Sequence, residues 1–288
     1  MRIILMILLM LPFCSKAQFV KNRLYKKGEK FSYKLTTEVY RNENKTGKTV
    51  SISKHEVVAD TGYLSEEIQF ISKTSFTSKD TVNLDSLATK VLPYKITLSP
   101  KGKVLLPKLS VPSMTGDITD LNTFYVAIAP ALDVQKLSAK YQIIRLSKLR
   151  QGNFADSIEI LSGTDCLQIT QKLVSVDKSY AVVETSFTPP DSLCLNPILD
   201  IIARNNKNQY NNIQFLRKSE GDKVNLLWGR EHFTITSKIS RINGQILEAK
   251  MINTLDLTMR YNCTLDLKSF AAEIPVSIRR ILTFELIR

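Results

Sequence analysis

The chain has 288 residues, 43% of them hydrophobic, which is too apolar for a disordered segment and ample for a buried core. Its formal charge is +13, from 40 Lys and Arg against 27 Asp and Glu. Two histidines (His55, His232), four cysteines without C-x-x-C spacing and no G-x-S-x-G elbow argue against a zinc site, a redox dithiol and a common serine hydrolase; no metal and no cofactor is expected.

The first residues, MRIILMILLMLPFCSKAQ, read as a secretory signal. Arg2 is the positive start, Ile3 to Phe13 the apolar stretch, and Ser15-Lys16-Ala17 the small-x-small pattern cut before Gln18. Eleven apolar residues are too few for a spanning helix, and no later apolar run is longer, so no transmembrane anchor is expected. Lipoprotein processing at Cys14 would want small residues where Pro12 and Phe13 stand. The expected mature chain, residues 18–288, is therefore periplasmic, secreted or at the cell surface. Losing Arg2 and Lys16 takes the charge to +11. The anionic partners such a protein meets are lipid, lipopolysaccharide and acidic polysaccharide rather than nucleic acid. One basic cluster (Lys21, Arg23, Lys26, Lys27, Lys30, Lys34) follows the new N-terminus and reads as a flexible arm for such a surface.

Phe31–Tyr40 and Thr49–Val58 alternate apolar and polar residues around the polar loop Arg41–Lys48, a predicted hairpin; Gly62 and Leu64–Thr77 give the next strand. Gly47-Lys48-Thr49 imitates the end of a phosphate loop but lacks its first glycine and its following helix. Glu66 and Glu67, adjacent on a strand, point to opposite faces and cannot act as one carboxylate pair. Pro93–Gly116 reads as an irregular crossover. Thr119–Ala131 then carries Leu121, Phe124, Tyr125 and Ile128 at helical spacing, with Pro130 as its stop.

Leu167–Val176 and Tyr180–Phe187 form a second hairpin across Asp177-Lys178-Ser179. Cys166 and Cys194 flank it and are the favoured disulfide; the alternative is that these and Cys263 are buried thiols. Pro197–Asn206 reads as a second short helix. Trp228, Arg230, Glu231 and His232 stand together with Gly229 just before a strand, and are the candidate ligand-binding residues if that stretch is a loop at the sheet rim; the plainer reading is a Trp cap on the core with solvated neighbours. No catalytic residue is assigned. Phe233–Ser240 alternates, and Asn243-Gly244 marks a hairpin of the type I′ kind. From Leu247 to Leu267 the odd positions are almost all apolar and the even ones polar, twenty-one residues that predict one strongly bent strand or two strands broken at Asn253. Asn44-Lys45-Thr46 and Asn262-Cys263-Thr264 match a glycosylation sequon that arises often by chance.

These elements define a mainly β protein: a long curved antiparallel sheet, half-barrel or sandwich-like, with two short helices. It is one β-rich unit with an N-terminal meander (18–92) and a C-terminal one (140–288) joined by the crossover 93–139. An outer-membrane barrel shares the alternation, but the helical and Pro-rich interruptions and the missing terminal aromatic argue against it. The export signal ending in Ala17-Gln18 and the strand pattern together resemble secreted β-rich proteins of the Bacteroidota, and the periplasmic lipoprotein carriers with their helix-lined half-barrel. That resemblance implies an exported, non-catalytic binding or structural protein, holding an apolar or lipid-like ligand in the concave sheet. The alternative is a cell-envelope hydrolase acting on glycan or ester bonds, with convergent acids near Glu231 and His232.

Overall fold

A computed structural model describes residues 23–102, 104, 107, 109–129, 143–147, 153–155, 158–162, 168–187, 213–219 and 221–287. The expected signal (1–17), the Cys166–Cys194 pair and the helix at Pro197–Asn206 lie outside them. The described strands form a single antiparallel sheet rather than a sandwich. Its N-terminal meander is β1 (Lys30–Arg41), β2 (Asn44–Ala59), β3 (Leu64–Phe76) and the short β4 (Thr81–Asn83) and β5 (Tyr94–Ile96), both paired to β3. A one-turn helix α1 (Asp85–Ala88) sits between β4 and β5, and α2 (Thr115–Val126) follows. The remaining strands are β6 (Ile143–Ser147), β7 (Asn153–Ala155), β8 (Ile158–Ser162), β9 (Gln168–Val176), β10 (Tyr180–Phe187), β11 (Ile213–Lys218), β12 (Val224–Ser240), β13 (Ile246–Cys263) and β14 (Ala272–Ile287). The main order is β4-β3-β2-β1-β14-β13-β12-β10-β9-β6, so β1 and β14 zip the first meander to the last across the whole chain.

The one-sided alternation read from the sequence is real. Along β13, residues Ala249, Met251, Asn253, Leu255, Leu257 and Met259 are buried while Glu248, Lys250, Ile252 and Asp256 are exposed. Two details differ. No break occurs at Asn253: β13 is one strand of 18 residues, roughly 60 Å long, and Asn253 is a buried inward residue bonded to Glu231. The strand ends instead at Cys263, just after Asn262, whose φ of 49° turns the chain, so Leu265 is exposed and Leu267 packs on the opposite face.

The hairpins form where expected, but their turn chemistry is exchanged. Ser240 and Gln245 close a loop in which only Gly244 takes positive φ, so Asn243-Gly244 is not a two-residue turn. That tight geometry occurs at Asn42-Glu43, both at positive φ, where the loop expected over Arg41–Lys48 shrinks to two residues. Tertiary contacts hold this turn: Asn42 exchanges hydrogen bonds with Ser277, and Glu43 meets Arg279 at 3.1 Å.

Helix α2 lies in the concave face. It starts four residues before the expected Thr119 because the turn Pro112–Met114 runs straight into it, and it is buried nearly all round, Asp117, Asp120 and Asn122 included. Its apolar side chains Ile118, Leu121, Phe124 and Tyr125 pack with Tyr33, Phe70, Met251, Leu282 and Phe284 into one core. Bulges in the β2–β3 and β10–β9 pairings help the sheet wrap it.

The sheet forks at β12. Its first part, Val224–Gly229, pairs with β11, which carries β8 and β7; its last part, Phe233–Ser240, pairs with β10. Between them Arg230–His232 pairs, among the described strands, only with β13. Gly229 stands at the fork, where a Cβ would lie 2.1 Å from the Asp256 carbonyl oxygen and 2.8 Å from the Leu257 Cα. Gly229→Ala is expected to lose about 1–3 kcal/mol by forcing β12 and β13 apart; urea unfolding checks this, and parental stability would mean that the close approach is not needed.

The burial of β13 gives a second expectation. Leu255 is 7% exposed and Asp256 faces water. Leu255→Asp would strand a charge beside Leu257 and cost about 3 kcal/mol or more, lowering the melting temperature by roughly 6 °C or more. Asp256→Leu should melt close to the parent. Equal losses would refute the inward assignment of the odd positions.

Candidate functional site

Trp228, Arg230, Glu231 and His232 do not lie on a loop at the rim; they lie inside β12, where period two divides them. Trp228 is buried on the outer face beside Leu226, Cys263 and Leu267. Its ring lies 5.3 Å from the Arg260 guanidinium, which Phe270 covers at 4.4 Å and Glu273 holds at 2.6 Å. Trp228 therefore packs in a small cluster of its own, on the face away from α2 and the main core. Arg230 and His232 share the outer face, and His232 is exposed. Glu231 points inward and accepts a bond from the Asn253 amide at 2.8 Å. The acid and the imidazole therefore do not converge. Cys263 is a buried free thiol whose titration burial pushes up.

Two buried polar networks line the inner face, and sequence reasoning placed neither. The first joins α2 to β3 and β14. Lys73 donates to Asp117 at 2.5 Å and to the Ser113 carbonyl at 2.6 Å, while Arg280 engages Asp120. Burial raises the Asp120 carboxyl, opposed by Arg280. Burial likewise raises Glu231, opposed by Asn253 and then by Arg280. At its other end the helix is held by the Ala127 carbonyl, which accepts from Gln171 and Thr185, both at 2.9 Å.

The second network centres on His55, enclosed by Phe31, Tyr33 and Tyr125. Its ring nitrogens meet Ser53 at 2.9 Å and Glu66 at 3.0 Å; Tyr125 donates to the same Glu66 oxygen, and Arg23 approaches the other at 3.7 Å. Burial first and the Glu66 carboxylate second push the Tyr125 and Tyr33 phenols well up, so both stay protonated and donate. Serine, imidazole and carboxylate in this order reproduce the bonding of a nucleophile, base and acid. Here Ser53 is 2% exposed and His55 1%, with Phe31, Tyr33 and Tyr125 packed on the imidazole, so the arrangement serves as a latch between sheet and helix. The sequence signals were the two-residue spacing of Ser53 and His55 on β2 and Glu66, an acid at an inward position of β3.

Arg23 belongs to this latch, which corrects the flexible basic arm: Arg23 is buried against Glu29 and Glu66, Lys30 is paired with Glu56, and Lys34 with Glu285.

Next to the latch a cleft of about 870 Å³ opens at the end of the half-barrel, a size that suits a small ligand. Phe31, Ile242, Leu247, Leu286 and Ile287 supply apolar surface, and Lys54, Glu67 and Gln69 supply exposed polar groups on the outer face of β2 and β3. His55 reaches its wall. The cleft is thus lined by apolar and charged side chains together, and cross-strand pairing puts Ile287 in the same outer row as Lys54 and Gln69. Among the described residues no helix is long and apolar enough to cross a membrane, and no three His, Cys, Asp or Glu side chains are placed to hold a metal ion.

No family model and no curated protein matches the chain. Among solved structures it is similar to lipovitellin, in a structure concerned with lipid–protein interactions, at 12% identity and a TM-score of 0.43 over 92% of this chain. The chain spans about a quarter of that protein's length (25%). It is also similar to OmpT, an outer-membrane protein of Vibrio cholerae, at 6% identity and a TM-score of 0.18, over 91% of this chain and 100% of that one. Neither superposition is close enough to define a family.

The raised Glu231 has a pH signature. An unfolded glutamate ionises at its ordinary value, and the folded one holds its proton to higher pH, so the native state binds more protons between the two. Its contribution is favourable at acid pH and is lost as pH rises through the folded value. Glu231→Gln, which can still accept from Asn253, is expected to melt above the parent near pH 7, with the gap closing towards about pH 4. A gap independent of pH would remove Glu231 from that role.

Proposed function

We propose that this is an exported, non-catalytic binding protein that holds an amphipathic, lipid-like ligand at the end of its half-barrel. The observation that carries the reading is the cleft of about 870 Å³, in which aliphatic surface from Ile242, Leu247, Leu286 and Ile287 adjoins the polar outer positions of β2 and β3. An alkyl chain gains by covering the aliphatic surface, and a polar head can meet Lys54, Gln69 or Glu67. The concave face under α2, where a carrier's ligand was first expected, is occupied by the helix and its aromatic neighbours. The ligand therefore belongs beside the latch rather than beneath the helix. Export rests on the N-terminal signal pattern, and the likeness to periplasmic carriers on the curved sheet with a helix against it. Glu231 and His232 on opposite faces offer a hydrolase no shared cleft.

Native mass spectrometry of the purified protein tests the reading. An amphipathic molecule should be carried with the parent and released on denaturation. Leu247→Glu, a half-exposed position in the cleft wall, should lower its occupancy about tenfold while leaving the melting temperature near that of the parent. A parent that carries nothing, or a variant that carries as much as the parent, would sink the proposal.

A further inference from the structure

The end of the half-barrel beside the cleft is built from three segments tied by backbone bonds. Leu24 donates to the Asn243 carbonyl at 2.7 Å, joining the segment 23–29 to the β12–β13 loop. Arg241 donates its backbone N–H to Ser179 at 2.9 Å and its guanidinium to the Asp177 carbonyl at 2.6 Å, joining that loop to the β9–β10 turn. The result is one continuous tip rather than three loose loops.

Two large aliphatic side chains project from it. Ile242 is 77% exposed and Leu24 60%, among the most exposed apolar side chains described, and the bond from Leu24 to Asn243 brings their two segments together. Exposed single aliphatics are ordinary, but here the same three segments also carry cations. Lys26, Lys27 and Lys178 are exposed and Arg241 is half-exposed on the same three segments. Of the two acids there, Glu29 is engaged by Arg23, which leaves Asp177 alone against four cations.

Aliphatic side chains at an apex, with lysines on the same segments, match the boundary between headgroups and acyl chains of an anionic bilayer. The apolar pair enters the boundary and the cations meet lipid phosphates. An acidic protein or nucleic acid would use the cations and leave Leu24 and Ile242 in water. We propose that this tip docks the protein on an anionic membrane surface. The inference rests on the reading of the cleft as a lipid-like ligand's site and deepens it. Ile242 is both the more exposed of the two aliphatic residues and part of the cleft wall, so a docked protein holds the cleft mouth against the lipid from which a ligand would come.

Co-sedimentation tests docking, using vesicles of phosphatidylcholine alone and of phosphatidylcholine with phosphatidylglycerol. The chain is compared with its variants as expressed, so that everything before residue 23 is common to all. The parent should bind the anionic vesicles and leave the neutral ones. Lys26→Glu with Lys27→Glu and Lys178→Glu should weaken that binding about a hundredfold, at roughly fivefold per cation. Leu24→Ser with Ile242→Ser should weaken it about tenfold at unchanged charge. All these side chains are exposed, so melting temperatures should stay at the parental value. Equal binding to both vesicle types, or variants that bind like the parent, would overturn docking. Leu247→Glu separates the two readings: it should empty the cleft and still sediment with anionic vesicles. A protein that carries ligand but ignores anionic vesicles refutes docking alone, and one that binds vesicles but carries nothing refutes the cleft alone.

Discussion

The fold depends on burying a helix that is not amphipathic. Helix α2 brings Asp117 and Asp120 into a region walled by aromatic and aliphatic side chains, and an unpaired carboxylate there would be untenable. Lys73 and Arg280, from strands on either side of β1 and β2, meet these two acids; Glu66 meets Tyr125; Gln171 and Thr185 meet the Ala127 carbonyl. The partners come from β3, β14, β9 and β10, so one helix ties together strands that lie far apart in the sheet. Ion pairs of this kind often contribute little net stability against an apolar alternative, because desolvation offsets attraction. What they impose is position: a shift of α2 by one turn would break every one of them at once. The curvature of the sheet follows from that, since the strands must wrap far enough for both flanks to reach the helix.

How much of this could be read from the sequence depended on whether a local signal matched a local cause. Strand alternation did, because each inward side chain of β13 is buried by its own neighbours across β12 and β14, so period two survives along the strand. Turn type did not. Asn243-Gly244 has the residues for a tight turn, yet the loop is longer because the shift in pairing at Lys238 and Ile239 displaces the strand ends. Asn42-Glu43 has poor residues for the same turn and adopts it because Ser277 and Arg279, over two hundred residues away, hold it. The helix was located from Leu121, Phe124 and Tyr125, but its start was misplaced because the turn Pro112–Met114 runs straight into it and Asp117 looks like a surface residue until Lys73 arrives.

The same asymmetry explains the site. Trp228 to His232 drew attention as a dense run of chemically able residues, and density in sequence is the wrong measure on a strand, where neighbours face apart. The residues that do meet, Arg23, Ser53, His55, Glu66 and Tyr125, come from four separate segments and assemble only when β1, β2 and β3 are in register and α2 is seated. Within them, Ser53 and His55 stand two apart on β2, and that same-face spacing was legible. Their partner was not, because Glu66 was set aside once Glu67 was seen to face the other way. Correct geometry for the pair hid the role of the single acid.

A half-barrel that encloses its ligand must leave its concave face unfilled and give up the packing that would otherwise stabilise it. This chain resolves the conflict differently. Tyr33, Phe70, Phe124, Tyr125 and Phe284 complete the interior with the protein's own side chains, so the fold does not rely on a guest. On the proposed reading a guest binds at the end of the strands, where Leu247 and Ile287 are only half-covered and the β13–β14 ladder has stopped at Glu248 and Glu285. A site there needs no opening of the sheet and no movement of α2, and its affinity is set by surface already arranged rather than by a cost of reorganisation. It also lies beside Leu24 and Ile242, the aliphatic pair that the fold leaves in water. Core completeness and an accessible strand-end cleft are thus two consequences of one arrangement: the helix that closes the inside leaves the rim as the place for an apolar guest.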